Sequence, residues 1–307
     1  MGIFEVDKLT PEIKTTAPDL KNSHSEIETY NRCERAHFYG YGLRIRAAKP
    51  GVQLVRGTLG HGALAEYYRC LQQGEPHDSA VRSAFSNLST NLSGVESLYP
   101  GSKLREELGI CLDAYFRHFQ AEADGLEILG VEQEFTVRVN DNYSLPFIID
   151  LIVRTSTGLE AWDHKFVWDF FNPNLVDLSP QLPLYYAGLK LLGYPPLTVR
   201  YNEIRYRDTK EIKADPGSRF NRVAPRISPT RVLTTMAEHI KAGERIYANR
   251  QLGLVEWERN VIRAKNNTAC RNCDFAKICI GELNGESRDY YIGLDYVPRE
   301  PIRRPRT

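Results

Sequence analysis

Phe147-Ile148-Ile149-Asp150-Leu151-Ile152-Val153 and, after a short turn, Ala161-Trp162-Asp163-His164-Lys165-Phe166 decide how this chain is read. The first stretch is almost continuously apolar, the pattern of a strand covered on both faces. Asp150 interrupts it. A lone carboxylate in such a strand is costly unless it is paired or binds a cation. Ser156-Thr157-Gly158 turns the chain, so an antiparallel hairpin here sets Asp150 beside Asp163. Asp163 and Lys165 alternate with His164 and share one face of their strand. Two close carboxylates repel, and a divalent cation removes the repulsion. Oxygen ligands suit Mg²⁺ or Mn²⁺. Phosphodiester hydrolysis uses this set: a metal to activate water and stabilise charge on the phosphate, and a lysine beside it. The plainer alternative is a structural ion pair between Asp163 and Lys165, with Asp150 a hydrogen-bonded turn residue.

Working outward, Leu129 to Val139 alternates as a strand and Asn140-Asp141-Asn142 turns it into the hairpin. Leu197 to Tyr206 is a further strand. Upstream, Ser25 with Glu28 reads as a capping box that opens a helix through Cys33. A second helix runs from Thr58 to Leu71. Residues 74–101 are polar, with at most one short helix, and a long helix follows Ser102, with Leu104, Leu108, Cys111, Leu112, Tyr115 and Phe119 on one stripe. Ser179-Pro180 opens a helix that runs to Leu192, and Ser228-Pro229 another to about Arg250. Residues 207–227 read as a polar, basic loop and the likeliest insertion. The order of helices, three strands, helix, strand, helix is an α/β core, a mixed central sheet flanked by helices. The organisation expected is an arm (1–22), a single domain (23–285) and a tail (286–307), with a disordered Pro/Arg-rich end from residue 298.

Composition narrows the classes. The chain has 307 residues, 42% hydrophobic and 26% charged, with a net charge of +1. A strongly basic chain would point to nucleic acid directly; this one requires local clusters. No apolar run approaches the ~18 residues of a membrane span, and Met1 to Leu20 has no apolar core of a secretory signal. The protein is therefore read as cytoplasmic. There the six cysteines are unlike a disulfide set. Cys70 and Cys111 fall inside helical apolar patterns and are read as inert core. Cys270, Cys273 and Cys279 form a tight trio suited to a soft metal, with distant Cys33 the candidate fourth ligand.

His61, Asp150, Asp163-His164-Lys165 and Gln181-Leu182-Pro183-Leu184-Tyr185 follow one another in an order that resembles the PD-(D/E)XK nuclease superfamily, in its RecB-like branch, across residues 24–282. Ile148-Ile149 stand where the superfamily's name has a proline. The resemblance implies a restriction-endonuclease-like core. It implies that His61, Asp150 and Asp163, with the backbone carbonyl of His164, hold Mg²⁺ or Mn²⁺. Lys165 is then the catalytic lysine, Gln181 and Tyr185 support the site or hold DNA, and the family's strand-borne glutamate maps onto Glu132.

The segment Tyr30-Asn31-Arg32-Cys33-Glu34-Arg35 resembles the N-terminal cysteine segment of RecB-like iron–sulfur nucleases such as AddB and the CRISPR-adaptation nucleases. That resemblance implies a [4Fe–4S] cluster on Cys33, Cys270, Cys273 and Cys279, joining segments 25–40 and 265–282 as a structural staple. Four thiolates also serve zinc, and uncoordinated thiols are the remaining alternative. The implied function is a metal-dependent DNA exonuclease acting on single-stranded or duplex ends in recombination, repair or phage DNA processing. The alternatives are a CRISPR-adaptation nuclease that trims spacer precursors and a catalytically weak DNA-binding subunit. Arg205, Arg207, Lys210, Lys213, Arg219 and Arg222, interleaved with Tyr201, Tyr206 and Phe220, are expected to guide a DNA strand.

Overall fold

The structure is a computed structural model that describes residues 20–123 and 125–299. Most of the expected arm and the end of the expected tail lie outside the described residues. In chain order the elements are strand β1 (Leu20–Lys21), helices α1 (His24–Arg32) and α2 (Glu34–His37), a π-helical turn (Phe38–Gly42), strand β2 (Ile45–Ala47), and helices α3 (Val52–Gln72), α4 (His77–Ser93), α5 (Leu104–His118) and α6 (Gln120–Ala123). Strands β3 (Glu127–Asn140), β4 (Tyr143–Thr155) and β5 (Gly158–Val167) follow, then α7 (Pro173–Leu178), α8 (Gln181–Leu191), β6 (Thr198–Arg205), α9 (Lys210–Ala214) and β7 (Phe220–Val223). Next come α10 (Pro229–Gln251), α11 (Gly253–Asn260), α12 (Asn267–Cys270), α13 (Ala276–Leu283), α14 (Arg288–Asp295) and β8 (Tyr296–Pro298). Among the described residues no helix is long and apolar enough to cross a membrane.

Contacts divide these elements into two units where the sequence suggested a single domain: residues 20–21 with 56–236, and residues 22–55 with 237–299. The motifs from His61 to Tyr185 fall in the first unit, and Cys33, Cys270, Cys273 and Cys279 in the second.

The first unit is built on a six-stranded mixed sheet. β3 pairs antiparallel with β4 along one edge. The other edge of β4 is shared. β1 takes Tyr143 and Ser144 in parallel, and β5 takes Leu151 to Thr155 antiparallel. Between these two pairings β4 has no partner on that side among the described residues, so β4 and β5 fork beyond Leu151 and Trp162. β5 continues in parallel register with β6, and β7 closes that side antiparallel to β6. Side chains of β5 alternate between two helical layers. His164 and Phe166 face α3, and Asp163 and Lys165 face α8. Two glycines let the helices approach. A Cβ on Gly60 of α3 would lie 2.3 Å from the Phe166 ring, and one on Gly188 of α8 would lie 2.4 Å from the Phe147 ring.

Three local expectations change. The first helix starts earlier than read, with Ser23 as N-cap accepting from the Glu26 amide. Residues 74–101 hold a full helix, α4, whose buried stripe is Ala80, Ala84, Leu88 and Leu92. Small alanines among serines and asparagines hid its period. The polar stretch 207–227 is not a free loop. It contains α9 and the sheet strand β7, whose Asn221 donates to Glu203 at 2.6 Å and whose Arg222 donates to Asn202 at 3.3 Å. Polar residues satisfied by polar partners leave no hydrophobic signature.

The second unit has two apolar clusters. One gathers Ala36, Phe38, Tyr39, Ile45, Trp257, Phe275, Ile278 and Tyr296. The other gathers Ile27, Tyr30, Ala242 and Ile246. Residues 288–298, expected in the tail, form α14 and β8, and β8 pairs antiparallel with β2. Buried polar groups are matched here too. Glu26 takes His37 at 3.0 Å and Asn22 at 3.1 Å, and also pairs with Arg250.

His239, 3% exposed, lies against the Asn22 carbonyl at 3.2 Å, and burial holds its imidazole down at about 4. Burial lowers His37 as well. The unfolded chain takes up protons on these groups below the ordinary imidazole value near ~6.5, where the folded chain does not. Stability is therefore expected to fall as pH drops from ~6.5 towards ~4, by on the order of 3 kcal/mol for His239. Urea titration of wild type and His239→Gln across that range tests this. A wild-type midpoint that does not move would contradict it.

Candidate metal centre

The fork between β4 and β5 is where the carboxylates meet. Asp150 is only 4% exposed. Where the ladder to β5 stops, its side chain replaces the missing strand partner, and Oδ2 accepts from the His164 backbone N–H at 2.8 Å. α3 brings His61 to the same oxygen, Nδ1 to Oδ2 3.2 Å, because Gly60 allows the helix down onto Phe166. From the other edge, Glu132 of β3 reaches to within 3.8 Å of His61 Nδ1. The register pairs Val131 with Leu151 and Gln133 with Ile149, so Glu132 falls opposite Asp150. Glu132 has φ +49°, left-handed backbone in the middle of a strand. Such strain persists where surrounding structure demands it, and it clusters at functional sites.

One ligand atom from each of His61, Glu132 and Asp150 lies within 4.8 Å of the others. Two carboxylates and an imidazole, gathered at this spacing in a partly buried pocket, suit a divalent cation. A cation also answers the repulsion that two adjacent carboxylates impose on one another.

Asp163 lies on the α8 side. Its Oδ1 accepts from Gln181 Nε2 at 2.7 Å and from the Tyr185 hydroxyl at 3.2 Å, and its Oδ2 lies 2.6 Å from Lys165 Nζ. Lys165 Nζ also donates to Gln181 Oε1 at 3.2 Å, and the Tyr201 hydroxyl donates to the same oxygen at 3.1 Å. Gln181 thus ties the carboxylate, the lysine and β6 together. The electrostatics separate the two aspartates. Burial raises the Asp150 carboxyl, but His61, His164 and Lys165 outweigh it and hold the group down at about 2. Burial and the neighbouring Asp150 charge leave Asp163 above its ordinary value, against the pull of Lys165. Burial opposes the charge on Lys165, but Asp163 more than offsets it, so the ammonium keeps its proton more firmly than a free lysine. Burial depresses His164 to about 3, so its ring is neutral.

The structure therefore brings His61 and Asp150 together, and the third side chain within 4.8 Å of them is Glu132. Asp163 is engaged with Lys165, Gln181 and Tyr185. His164 contributes a backbone N–H to Asp150, while its ring accepts from Asn202 Nδ2 at 2.9 Å and stacks on Tyr68. The signal for Glu132 was its place on the strand before the hairpin. The strained backbone that aims it was invisible.

The six basic residues assigned to DNA fare differently. Arg205 is buried and bonded to Glu211 and the Ser218 carbonyl, and Arg219 is buried and bonded to Asp208 and the Arg205 and Arg207 carbonyls. Arg222 pairs with Glu122 and lies between the Phe119 and Trp162 rings, 4.1 Å from each. These three guanidinium groups hold β6 and β7 in place. Arg207 pairs with Asp169 and is partly exposed, and Lys210 and Lys213 are exposed. In the second unit, Cys33, Cys273 and Cys279 pack around the same apolar cluster, Cys270 is exposed, and Arg263 Nε donates to Cys279 Sγ at 3.3 Å. Cys70 and Cys111 are buried in helices.

Left-handed backbone costs a residue with a Cβ about 1 kcal/mol that glycine does not incur. Glu132→Gly is therefore expected to raise the melting temperature of the metal-free protein by roughly 2–4 °C, while weakening Mn²⁺ binding. Glu132→Ala should weaken binding without the gain. Calorimetry reads both quantities, and wild-type Mn²⁺ affinity in both variants would remove Glu132 from the site.

No curated protein matches the chain at a significant level. A family model does: the one described as the PD-(D/E)XK nuclease superfamily matches residues 21–280. That span contains both arms of the β4–β5 fork, His61, Glu132, Lys165 and the Gln181–Tyr185 pair. With most of its length inside the match, the chain belongs to the PD-(D/E)XK nuclease superfamily.

Proposed function

We propose that this protein is an Mg²⁺- or Mn²⁺-dependent deoxyribonuclease of the RecB-like branch that acts as an exonuclease on DNA ends, in recombination, repair or phage DNA processing. The observation that carries the reading is the convergence of His61, Glu132 and Asp150 beside a protonated lysine held by Asp163 and Gln181. Hard carboxylate oxygens favour Mg²⁺ and Mn²⁺ over softer ions. The cation, when bound, supplies Lewis-acid stabilisation of charge on the phosphate.

The chain's own residues do the rest. Asp150 stays ionised and orients His61. Glu132 completes the ligand set. Lys165 keeps its proton, so it serves as a fixed positive charge for the developing phosphate charge and not as a base. Asp163, Gln181 and the Tyr201 hydroxyl aim its ammonium. Tyr185, whose hydroxyl proton burial and the two aspartates hold firmly, remains a donor to Asp163.

Linear DNA should be degraded with Mg²⁺ or Mn²⁺ and protected by EDTA. Lys165→Ala should lower the rate roughly 100- to 1000-fold while leaving the fold unchanged by circular dichroism. End-labelled linear and closed circular substrates test the end requirement. Circles cut as fast as linear DNA would refute exonuclease action, and wild-type rates for Lys165→Ala would refute the assigned centre.

A [4Fe–4S] cluster on Cys33, Cys270, Cys273 and Cys279 belongs to the same reading. Its support is that three of these cysteines surround one apolar cluster, from segments at opposite ends of the described chain. Cys33 sits at the extended break between α1 and α2, and Arg263 Nε donates to Cys279 Sγ. Joining these segments restricts the unfolded chain, so the group acts as a staple. Protein purified without oxygen should be brown and carry about four irons, and Cys33→Ser should lose iron and melt lower. Colourless protein with stoichiometric zinc would overturn the cluster.

A further inference from the structure

The strand that carries Asp163 and Lys165 ends at Val167, and in the Trp168-Asp169-Phe170-Phe171 segment that follows it the fold does not bury the largest side chains. Trp168 is 55% exposed and Phe171 38% exposed. Both are held from behind. Trp168 stands edge-on to Tyr206 with ring centroids 5.8 Å apart, and the Arg207 guanidinium lies 4.9 Å from its ring centre, itself anchored by Asp169. Phe171 stands edge-on to Tyr201 at 5.7 Å, and its backbone N–H donates to Glu203 at 2.8 Å. Glu203 is completely buried, and its other oxygen takes Asn221 at 2.6 Å. That carboxylate has no part in the metal centre; its bonds pin the backbone of the aromatic segment to the sheet.

Tyr201 links the segment to the chemistry. Lys165 Nζ lies 5.1 Å from the Tyr201 ring centre, and the Tyr201 hydroxyl bonds Gln181. Phe171 is therefore one ring away from the lysine of that centre, and Trp168 is the first residue after β5. Resting on the nuclease reading above, we infer that Trp168 and Phe171 are a base-stacking platform that receives unpaired nucleotides next to the phosphate being cut, and that the substrate is a single strand or a frayed end. Paired bases keep their faces inside the duplex and offer nothing to such rings. Unpaired bases offer a face each, whatever their sequence. The partly exposed Arg207 beside Trp168 adds positive charge for the adjoining backbone.

Three tryptophans make this measurable without turnover. Trp162 is 1% and Trp257 4% exposed, so Trp168 is the one open to a ligand. In EDTA, a dT20 oligonucleotide should quench the emission of the full-length protein. An abasic oligomer of the same length and charge should not, and Trp168→Ala should abolish the effect. With Mn²⁺, Trp168→Ala and Phe171→Ala should each raise KM for dT20 about tenfold, within the roughly 5- to 150-fold that one stacked base supplies, with kcat little changed. Equal quenching by the abasic oligomer, or wild-type KM in both variants, overturns the platform even if DNA is cleaved. So does a change in sedimentation of Trp168→Ala without DNA, which would make this face a contact between copies. Quenching by dT20 in a protein that cleaves no DNA would sink the nuclease reading and leave the platform standing.

Discussion

A carboxylate buried in an apolar strand is the constraint around which the first unit is arranged. Asp150 sits among Ile149, Leu151 and Ile152, where an isolated charge is untenable. The chain answers with geometry. β5 leaves the ladder just before it would pair with Asp150, and its His164 amide bonds the carboxylate instead of a backbone carbonyl. The same departure opens the fork into which His61 descends. Closing the sheet would leave the carboxylate without its donor and the imidazole without its place, so the break in pairing and the site are one feature. The strained backbone at Glu132 belongs to it too, since only a residue turned out of regular strand geometry there brings a second carboxylate to His61.

Having two aspartates in one site raises the question of how they are kept different. Asp150 receives an amide and an imidazole, and its proton is held off down to about 2. Asp163 receives Gln181, Tyr185 and Lys165, yet burial and the neighbouring charge still raise it. When environments push two titratable groups apart, they mark out separate roles. Asp150 is the more readily ionised of the two and faces His61 and Glu132. Asp163 is the group that fixes the lysine. The ion pair that competes with the catalytic interpretation of Asp163 and Lys165 does exist, at 2.6 Å. It is part of the site, because the carboxylate that pairs the lysine also sets where the ammonium points.

The parts of this arrangement that follow from local pattern were legible in the sequence. The apolar run around Asp150, the hairpin, the shared face of Asp163 and Lys165, and the helix opened by Ser179-Pro180 each rest on spacing along one element. What escaped depends on partners distant in sequence. Glu132 is one glutamate among several until the β3–β4 register sets it opposite Asp150. Arg205, Arg219 and Arg222 look like a basic loop until Glu211, Asp208 and Glu122 are seen to receive them. α4 was lost because alanine contributes little hydrophobic contrast, and β7 because its polar side chains are satisfied by equally polar residues of β6. The two units were not separable from the sequence, because the second is assembled from segments on both sides of the first in the chain.

The inward arginines also bear on how a chain of net charge +1 holds a polyanion. Affinity from counterion release scales with the cations that reach phosphates. Three of the six basic residues in the β6–β7 region are committed to the fold, and a fourth, Arg207, is shared with Asp169. What remains outward is Lys210 and Lys213, with Arg207 in part. That region alone would give a shallow electrostatic hold, and nothing in it would select a DNA end over the middle of a duplex. If the protein acts on ends as proposed, selection has to come from contacts that only an end can make. The proposed platform would provide them, since a base must leave its stack before it can use a ring face. Low net charge and the exposed aromatics that follow β5 are therefore compatible features of one surface in the proposed reading: the first would limit indiscriminate binding to the backbone, and the second would favour strands that are already open.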